Sequence, residues 1–396
     1  MTKYLIIGNS GAGVFAADAI RQRDKEGEIT ILSTEREMAY SRCLTTYYVS
    51  GQINKCGMFI RPGDHYEKNR ITFWGGVRVT AIDSAAKTVT LSDGKALPYD
   101  KLLIASGASA TKAPIPGAGD EDIHVMRTMA DAEALLTKIK EGKNRVAVLG
   151  GGLVSLKTAG ALGENGAKVT VVVTSQNILS QQFDKIGADL IMTRLKKNNV
   201  DFVLGASAQE VSCGDDGAKR LKLTNGKELP VDVIFMGKGV NPNTDFLPPD
   251  MAMSGKGIKT DRHMATNLPD IYAAGDVATS FDKVTGEEAL YAIWPAATEQ
   301  GEIAGANMTG ESLVYQGAVS MNSLHFFGLK AICGGDSRGL TPEATVEYEL
   351  CEERSFYRKC VFSQGRLVGF ILVGAVDNAG ILMANLGNSL SFQECL

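Results

Sequence analysis

The chain has 396 residues and a formal net charge of -4, and this length predicts two or three domains. The charge gives no reason to expect nucleic acid or an anionic membrane as a partner. No apolar run approaches the roughly 20 residues that span a bilayer, and Met1 leads into a predicted strand and not into a signal peptide. We therefore expect a cytoplasmic protein with no membrane span.

The cysteines and histidines argue against a metal site. The seven cysteines are scattered without C-x-x-C spacing, and the four histidines are isolated from one another. This pattern does not match a disulfide framework, an iron–sulfur cluster or a zinc site held within the chain. We expect reduced thiols at residues 43, 56, 213, 333, 351, 360 and 395.

A turn that normally cradles a dinucleotide pyrophosphate occurs twice. The first copy, Gly8–Gly13, follows an apolar run and precedes a helix predicted over Val14–Arg21. The second copy, Gly150–Ser155, follows another apolar run and also enters a helix. Glycines permit the tight turn, and backbone N–H groups at the helix start face the pyrophosphate, whose charge the helix dipole favours. One such motif is weak, but two strand–turn–helix copies predict two dinucleotides that exchange electrons.

The first unit continues with a strand predicted over Ile29–Leu32. Glu35 lies near its end, about 20 residues past the glycine turn, where an acid accepts hydrogen bonds from an adenosine ribose. It lies beyond the usual place, which Ser33 occupies, so a solvated loop acid is the alternative. A loop and a helix are predicted over Tyr40–Tyr48.

Further β segments are predicted around Thr72–Thr80 and Thr88–Leu91, and the turn Ser92–Lys95 indicates a hairpin. The buried-strand pattern Lys101–Ile104 ends in the small residues Ala105-Ser106-Gly107. Such an ending lets the backbone approach a ligand closely.

The second unit begins after a linker at Ala113–Gly117. Its predicted elements after the glycine turn are a strand at Lys168–Val173, a helix around Asp184–Lys197, a hairpin turn at Thr224–Gly226 and a strand ending at Val233–Gly239. The chain returns to the first unit through Asp270–Asp276. The last segment has strand patterns at Lys359–Phe362 and Leu367–Val373 before a final helix.

These patterns predict an α/β fold with two Rossmann-like dinucleotide-binding domains, the second inserted into the first, and a C-terminal α+β interface domain. The first predicted dinucleotide-binding domain covers residues 1–115 and 242–311, and the second covers 116–241. The C-terminal interface domain covers 312–396.

The chain resembles the FAD-dependent pyridine nucleotide-disulfide oxidoreductases, in four elements: Gly8–Gly13, Leu103–Gly107, Gly150–Ser155 and Tyr272–Val277. The resemblance implies FAD in the first unit and NAD(H) in the second. It implies that the three predicted domains are an FAD-binding domain, an NAD-binding domain and a dimerisation or partner-docking domain. It also implies a hydrogen bond from Asp276 to the FAD ribitol and a helix start at Trp294–Gly301 that supports the isoalloxazine ring. Within the family, the chain is most similar to NADH:rubredoxin and nitrite reductase-like flavoproteins.

The resemblance assigns the cofactor-binding residues. They are Gly8, Ser10, Gly11, Ala12, Gly13, Glu35, Arg42, Val79, Ala105, Ser106, Gly107, Arg127, Gly150, Gly152, Leu153, Val154, Ser155, Gly237, Gly239, Gly275, Asp276, Ala296 and Ala297. The candidate catalytic residues are Cys43 and Lys157, and no metal-binding residue is predicted.

Four positions depart from the family pattern. Ser10 and Ser155 replace glycines of the two turns. Lys157 stands where the family has a glutamate; it either tunes the electrostatics near the nicotinamide or pairs with a local acid. Val173 ends a strand where an acid would bind the NADH ribose, so NADPH is disfavoured and the strength of NADH binding is in question.

Three residues of the first half have open roles. By resemblance to coenzyme A disulfide reductases and NADH peroxidases, Cys43 is a redox thiol, and the alternative is a packing residue beside FAD. Arg42 either forks onto the FAD pyrophosphate or is a surface arginine. Arg127 either bridges the domains near FAD or forms a surface salt bridge.

The leading hypothesis is an FAD-dependent oxidoreductase that transfers electrons between NAD(H) and a ferredoxin- or rubredoxin-like iron–sulfur protein. The resemblance suggests a homodimer or a hetero-complex, such as the flavoprotein subunit of an anaerobic metalloenzyme like tungsten aldehyde oxidoreductase. One alternative is a Cys43-dependent coenzyme A disulfide or peroxide reductase. The other is a non-catalytic FAD relay subunit whose NAD site has decayed.

Overall fold

A computed structural model describes residues 1–214, 217–284 and 286–395. The chain divides into two compact units. The first comprises Met1–Cys43, Lys55–Ser109 and Val240–Val319, and the second comprises Leu44–Asn54, Ala110–Gly239 and Ser320–Leu396. The predicted domain boundaries remain a prediction.

The core of the first unit is a five-stranded parallel sheet. Apart from their first residues, two of its inner strands, Lys3–Ile7 and Lys101–Ile104, are buried hydrophobic runs, as expected for a sheet covered on both faces. In spatial order its strands are Ile271–Ala273, Lys101–Ile104, Lys3–Ile7, Glu28–Ser33 and Ile71–Gly75. A three-stranded antiparallel sheet comprises Val79–Asp83, Thr88–Leu91 and Ala96–Pro98. The helices are Gly11–Arg23, His65–Lys68 and Trp294–Met308.

Two helices of the first unit, Gly11–Arg23 and Trp294–Met308, pack with their backbones in contact. A Cβ at Gly301 would lie 2.2 Å from the Ala12 carbonyl oxygen, and one at Gly305 would lie 2.4 Å from the Ala16 carbonyl oxygen. Side chains at these glycines would therefore force the helices apart.

The second unit contains another five-stranded parallel sheet and a hairpin sheet. The parallel strands, in spatial order, are Val200–Leu204, Lys168–Val173, Arg145–Leu149, Val233–Met236 and Ile123–His124. The antiparallel strands are Ala208–Cys213, Lys219–Leu223 and Glu228–Pro230. The helices are Thr45–Val49, Met129–Lys140, Leu153–Glu164, Lys185–Lys196 and Ala379–Ala384.

The C-terminal part of the second unit is a five-stranded antiparallel sheet. In spatial order its strands are Met321–Phe326, Leu329–Gly335, Arg366–Val373, Phe356–Ser363 and Thr345–Cys351. The edge strand Thr345–Cys351 exposes its first five residues, which include Glu347 and Glu349. Buried Lys359 joins this sheet to the start of helix Lys185–Lys196, with its Nζ 3.1 Å from Asp184 Oδ2.

Short elements complete the fold. The short strands are Ala108–Ala110, Val240–Pro242, Met253–Ser254, Gly257–Ile258, Ser280–Phe281 and Glu288–Ala289, and the 3-10 helices are Arg42–Leu44, Lys55–Met58, Asp120–Asp122, Glu352–Arg354 and Gln393–Cys395. Among the residues with a described structure, none lies in a helix long and apolar enough to cross a membrane.

The predicted fold class, with two Rossmann-like sheets, is confirmed. Two local predictions need correction. The first helix begins at Gly11 and not at Val14, because the glycine turn itself forms its first turn. The β segment predicted over Thr72–Thr80 is two strands of different sheets, because the chain bends at Gly76, where φ is +77°.

The helix contact predicts the effect of one substitution. Gly305→Ala is expected to lower the free energy of unfolding by about 1–3 kcal/mol, because its methyl group would overlap the Ala16 carbonyl. Urea unfolding followed by circular dichroism measures this change. The control is Gly380→Ala, where a helical Cβ would meet nothing within 4 Å. Equal shifts for both variants would contradict tight packing at Gly305.

Candidate functional site

The first glycine turn is built so that only glycine fits at two positions. Gly8 has φ +122°, and its Cβ would lie 2.0 Å from the Ala105 carbonyl oxygen. A Cβ at Gly13 would lie 1.9 Å from the Gly8 carbonyl oxygen. The turn therefore presses against the end of strand Lys101–Ile104 and leaves backbone at the helix start close to any ligand there.

In the described part of the chain, three of the five helices with 12 or more residues begin without a side-chain cap. Ser10, Gly152 and Ile293 precede helices Gly11–Arg23, Leu153–Glu164 and Trp294–Met308, and none of them gives a side-chain hydrogen bond to the first helical turn in the described structure. The other two helices are capped: Thr128 accepts from Asp131 N–H and Asp184 accepts from Gly187 N–H. The uncapped helix starts leave backbone N–H donors and the positive end of the helix dipole available to an anion.

The turn at Gly275-Asp276 lies against the first of these helix starts. Gly275 has φ +80°, and its Cβ would lie 3.1 Å from Ala12 Cβ and 3.6 Å from Ala297 Cβ. Its N–H donates to Oε1 of buried Gln300 at 2.8 Å. The sequence did not single out Gln300, since a buried helical amide has no local signature. The half-buried Asp276 follows directly.

Glu35 and Arg42 form a polar cluster with Tyr40. Both Tyr40 Oη and Arg42 Nη2 donate to the Glu35 carboxylate, and Arg42 Nη1 lies 3.1 Å from Tyr40 Oη. Burial lowers the pKa of Arg42, but Tyr40, Glu35 and Asp276 raise it, and the net pKa lies above its usual value. The cluster therefore keeps a cation beside Asp276. The assignments of Glu35 to a ribose and of Arg42 to a pyrophosphate stay predictions.

The second glycine turn accommodates the serine that departs from the pattern. Gly150 has φ +123°, and its Cβ would lie 2.5 Å from the Gly237 carbonyl oxygen. Buried Ser155 donates through Oγ to that same carbonyl at 3.1 Å. A Cβ at Gly237 would lie only 2.1 Å from Ser155 Oγ. Ser155 is therefore tolerated because residue 237 is a glycine.

Val173 does not face solvent at the end of its strand. Its side chain is 3% exposed and packs over the turn, so that a Cβ at Gly151 would lie 2.7 Å from Val173 Cγ1. The first exposed residue is Thr174, whose Oγ1 lies 2.9 Å from Ser207 Oγ. Hydroxyl groups therefore lie just after the end of strand Lys168–Val173, near the position where the family pattern has a ribose-binding acid.

Lys157 lies half-buried on helix Leu153–Glu164, with Nζ 5.9 Å from the centre of the Tyr47 ring. This geometry is a cation–π contact of the distance that is typical of such pairs. Lys157 lines a cleft within the second unit, together with Thr46, Tyr47, Ser50, Gln52, Gly160, Ala161, Glu164, His325 and Phe326.

The remaining predicted residues are spread over both units. Ala105, Ser106, Gly107, Ala296 and Ala297 lie with the first turn in the first unit, where Ser106 Oγ donates to the Asn243 carbonyl. Val79 is buried in an apolar cluster with Leu5 and Leu91. Leu153, exposed Val154 and Gly239 lie with the second turn, and Arg127 N–H donates to Asp131 at the start of helix Met129–Lys140. Cys43 and Cys56 are both exposed.

Comparisons with known proteins agree with this geometry. A family model described as pyridine nucleotide-disulphide oxidoreductase matches residues 2–301. The chain is 36% identical over 385 residues to the NADH-dependent phenylglyoxylate dehydrogenase subunit epsilon of Aromatoleum evansii, which covers 96% of this chain and 90% of that one. It is 28% identical to the NAD(P)H nitrite reductase of Bacillus subtilis (strain 168), across 99% of this chain and 48% of the relative, so it spans about half that relative's length.

A solved structure shares the fold. The crystal structure of NADH:rubredoxin oxidoreductase from Clostridium acetobutylicum aligns with a TM-score of 0.81 at 28% identity, covering 99% of this chain and 96% of that one. No group of three or more potential metal-ligating side chains occurs in the described ranges.

The pair Ser155 and Gly237 predicts a compensating double substitution. Gly237→Ala is expected to destabilise the protein by about 1–3 kcal/mol because its methyl group would overlap the Ser155 hydroxyl. Adding Ser155→Gly is expected to restore most of this loss, and a thermal-unfolding double-mutant cycle measures the coupling. Purely additive effects would show that the serine is not what excludes a side chain at residue 237.

Proposed function

The chain belongs to the pyridine nucleotide-disulphide oxidoreductase family, and from this premise we propose that it passes electrons between NAD(H) and an iron–sulfur carrier protein or subunit. Membership confirms the predicted class of enzyme, an NAD(H)-dependent oxidoreductase, and its cofactors, FAD and NAD(H). Which residues bind them, and the identity of the partner, belong to the proposal.

The three uncapped helix starts are the observation that carries the assignment of sites. Two of them, at Gly11 and Trp294, lie in the first unit, where they would face the FAD pyrophosphate and the isoalloxazine ring. The third, at Leu153, lies in the second unit and would face the NAD(H) pyrophosphate. Bound FAD accepts a hydride and can release its electrons singly, which suits exchange with an iron–sulfur centre.

The second glycine turn supports an NAD site that has not decayed. Gly150 keeps the positive φ of the turn, and Ser155 is accommodated by Gly237. The acid that would bind the ribose is absent at the end of strand Lys168–Val173, and Lys157 replaces the family's glutamate. We infer that NADH binds through the turn and the helix start, with Thr174 and Ser207 as neutral partners for the ribose.

The names of two relatives support the proposal of an iron–sulfur partner. The Aromatoleum relative is named as a subunit of an NADH-dependent dehydrogenase, and the alignment covers nearly all of both chains. The Clostridium relative is named for rubredoxin. The shared chemistry is delivery of electrons to or from a separate protein. We therefore propose that the partner is an iron–sulfur protein or subunit, encountered transiently or held in a hetero-complex.

Anaerobic titration of the purified flavoprotein with NADH tests the function. The flavin absorbance is expected to bleach with about one equivalent of NADH, since one hydride carries both electrons that FAD accepts. Adding oxidised ferredoxin or rubredoxin should then restore the absorbance. A flavin that NADH leaves oxidised would instead favour the relay subunit without a working NAD site.

The Cys43→Ser variant separates direct transfer from thiol chemistry. The exposure of Cys43 keeps a thiol-dependent reductase open as the alternative. Unchanged NADH turnover with the iron–sulfur acceptor is expected, because direct transfer from flavin does not use the thiol. A loss of turnover by several orders of magnitude, as for removal of a covalent nucleophile, would establish the Cys43-dependent reductase.

The absence of a charged side chain at the proposed ribose position predicts that substitutions there change the preference between NADH and NADPH. Thr174→Arg is expected to lower the KM for NADPH about tenfold relative to that for NADH, because one charge-assisted contact to the 2′-phosphate contributes about 1.4 kcal/mol. Thr174→Glu should shift the preference toward NADH. Steady-state kinetics with both nucleotides measure the shift, with Asn225→Arg on the exposed hairpin as the control. An unchanged KM ratio would place the ribose elsewhere.

A further inference from the structure

Three fully buried polar side chains lie together behind the turn Gly275-Asp276. Gln300 on helix Trp294–Met308 is 1% exposed, Tyr315 is 0% exposed and Ser280 is 1% exposed. They come from three separate segments of the first unit. Polar groups buried this completely need hydrogen-bond partners, since burial without a partner removes the hydrogen bonds that water would otherwise provide.

Gln300 forms a hydrogen bond with the turn Gly275-Asp276. Its Oε1 accepts the Gly275 N–H at 2.8 Å, in a fully buried hydrogen bond between residues 25 positions apart. Gly275 has φ +80°, and a Cβ there would lie 3.1 Å from the Ala12 methyl group and 3.6 Å from that of Ala297. The position of Gln300 therefore sets the position of the turn relative to the start of helix Gly11–Arg23.

Tyr315 and Ser280 lie next to the amide of Gln300. Burial raises the pKa of Tyr315, and hydrogen-bonding contacts with the Ser280 and Gln300 side chains oppose that rise. Neither Tyr315 Oη nor Ser280 Oγ makes a hydrogen bond of strict geometry to any other residue in the described structure. The two hydroxyl groups and the Gln300 amide therefore have one another as polar neighbours.

We propose that Gln300 is a positioning residue for FAD, and that the Tyr315 and Ser280 hydroxyls hold its amide in place. The chain of contacts runs from the buried hydroxyls to Gln300, from Gln300 to the Gly275 N–H, and so to the turn that carries Asp276. This inference rests on the proposed function, because it takes the first unit as the FAD site.

Gln300, Tyr315 and Ser280 act on the cofactor only through the turn Gly275-Asp276. Asp276 lies next to Gly275 and contributes to the raised pKa of Arg42, so the turn also fixes a carboxylate against a cation. Without the hydrogen bond to Gln300 Oε1, the Gly275 N–H would be buried with no acceptor. Asp276 would then move relative to Ala12 and the helix start. Both effects weaken contacts with FAD without removing any residue that touches it.

The test compares FAD retention in the holoprotein and in two variants. Gln300→Leu is expected to weaken FAD binding about tenfold or more, the effect of losing one buried hydrogen bond. Tyr315→Phe, which keeps the ring and removes the hydroxyl, is expected to weaken it about threefold. Release of FAD on dilution, followed by flavin fluorescence, gives the affinity, and the visible flavin spectrum reports the environment of the ring.

Tyr99→Phe is the matched control. Tyr99 is also buried in the first unit, and its hydroxyl likewise has no hydrogen-bond partner among the residues of the described structure, but it lies in the apolar cluster with Leu91 and Ile104. Its FAD affinity and flavin spectrum are expected to match those of the wild type. A structural effect of removing a buried hydroxyl would appear in both tyrosine variants.

The outcomes separate this inference from the proposed function. If the wild type binds FAD and both variants retain it with the same affinity and spectrum, the positioning role is wrong. If Gln300→Leu does not fold, Tyr315→Phe decides by the same measurements. A wild-type protein that binds no FAD would overturn the proposed function itself.

Discussion

The close contact between helices Gly11–Arg23 and Trp294–Met308 determines the geometry of the first unit. Gly301 and Gly305 bring the second helix onto the backbone of Ala12 and Ala16. A Cβ at Gly11 would lie 3.3 Å from the Trp294 ring, so the indole of the second helix lies over the start of the first. Because Gly301 faces Ala12, the start of helix Trp294–Met308 extends about 10 Å beyond the start of helix Gly11–Arg23. The two uncapped starts are therefore offset and would face different parts of one extended ligand.

The two glycine turns solve one steric problem in different ways. In the first, Gly13 leaves room for the Gly8 carbonyl, and no side chain intervenes. In the second, Ser155 occupies the space and hydrogen-bonds to the Gly237 carbonyl. The Ser155 hydroxyl therefore links helix Leu153–Glu164 to the end of strand Val233–Met236. A side chain fits at residue 155 because residue 237 has none.

Local patterns in the sequence predicted the parts of the fold that local physics controls. The apolar runs entering Gly8 and Gly150 gave correct strands, and the hairpin turns at Ser92–Lys95 and Thr224–Gly226 connect antiparallel strands. The break at Gly76 was missed, because alternating residues on either side resemble one continuous strand. Contacts between distant residues were also missed, since no local pattern records them.

The candidate site shows the same division. The glycines of both turns could be predicted because backbone conformation demands them. Gln300 could not, because its role depends on a hydrogen bond to a glycine on another segment. Arg42 and Glu35, which the sequence assigned separately to a pyrophosphate and to a ribose, form an ion pair in the structure. Only the three-dimensional structure reveals this pair, and both ligand assignments stay predictions.

The exposed edge strand Thr345–Cys351 has a consequence for the behaviour of the protein at high concentration. An uncovered edge is a template for pairing between molecules, which leads to aggregation. Here Glu347 and Glu349 project from the exposed stretch, and antiparallel pairing of two copies would set glutamates against one another. This charge repulsion opposes open-ended association, and it is screened as ionic strength rises. Colloidal stability at this edge is therefore electrostatic, while the sheet behind it is held by its apolar core.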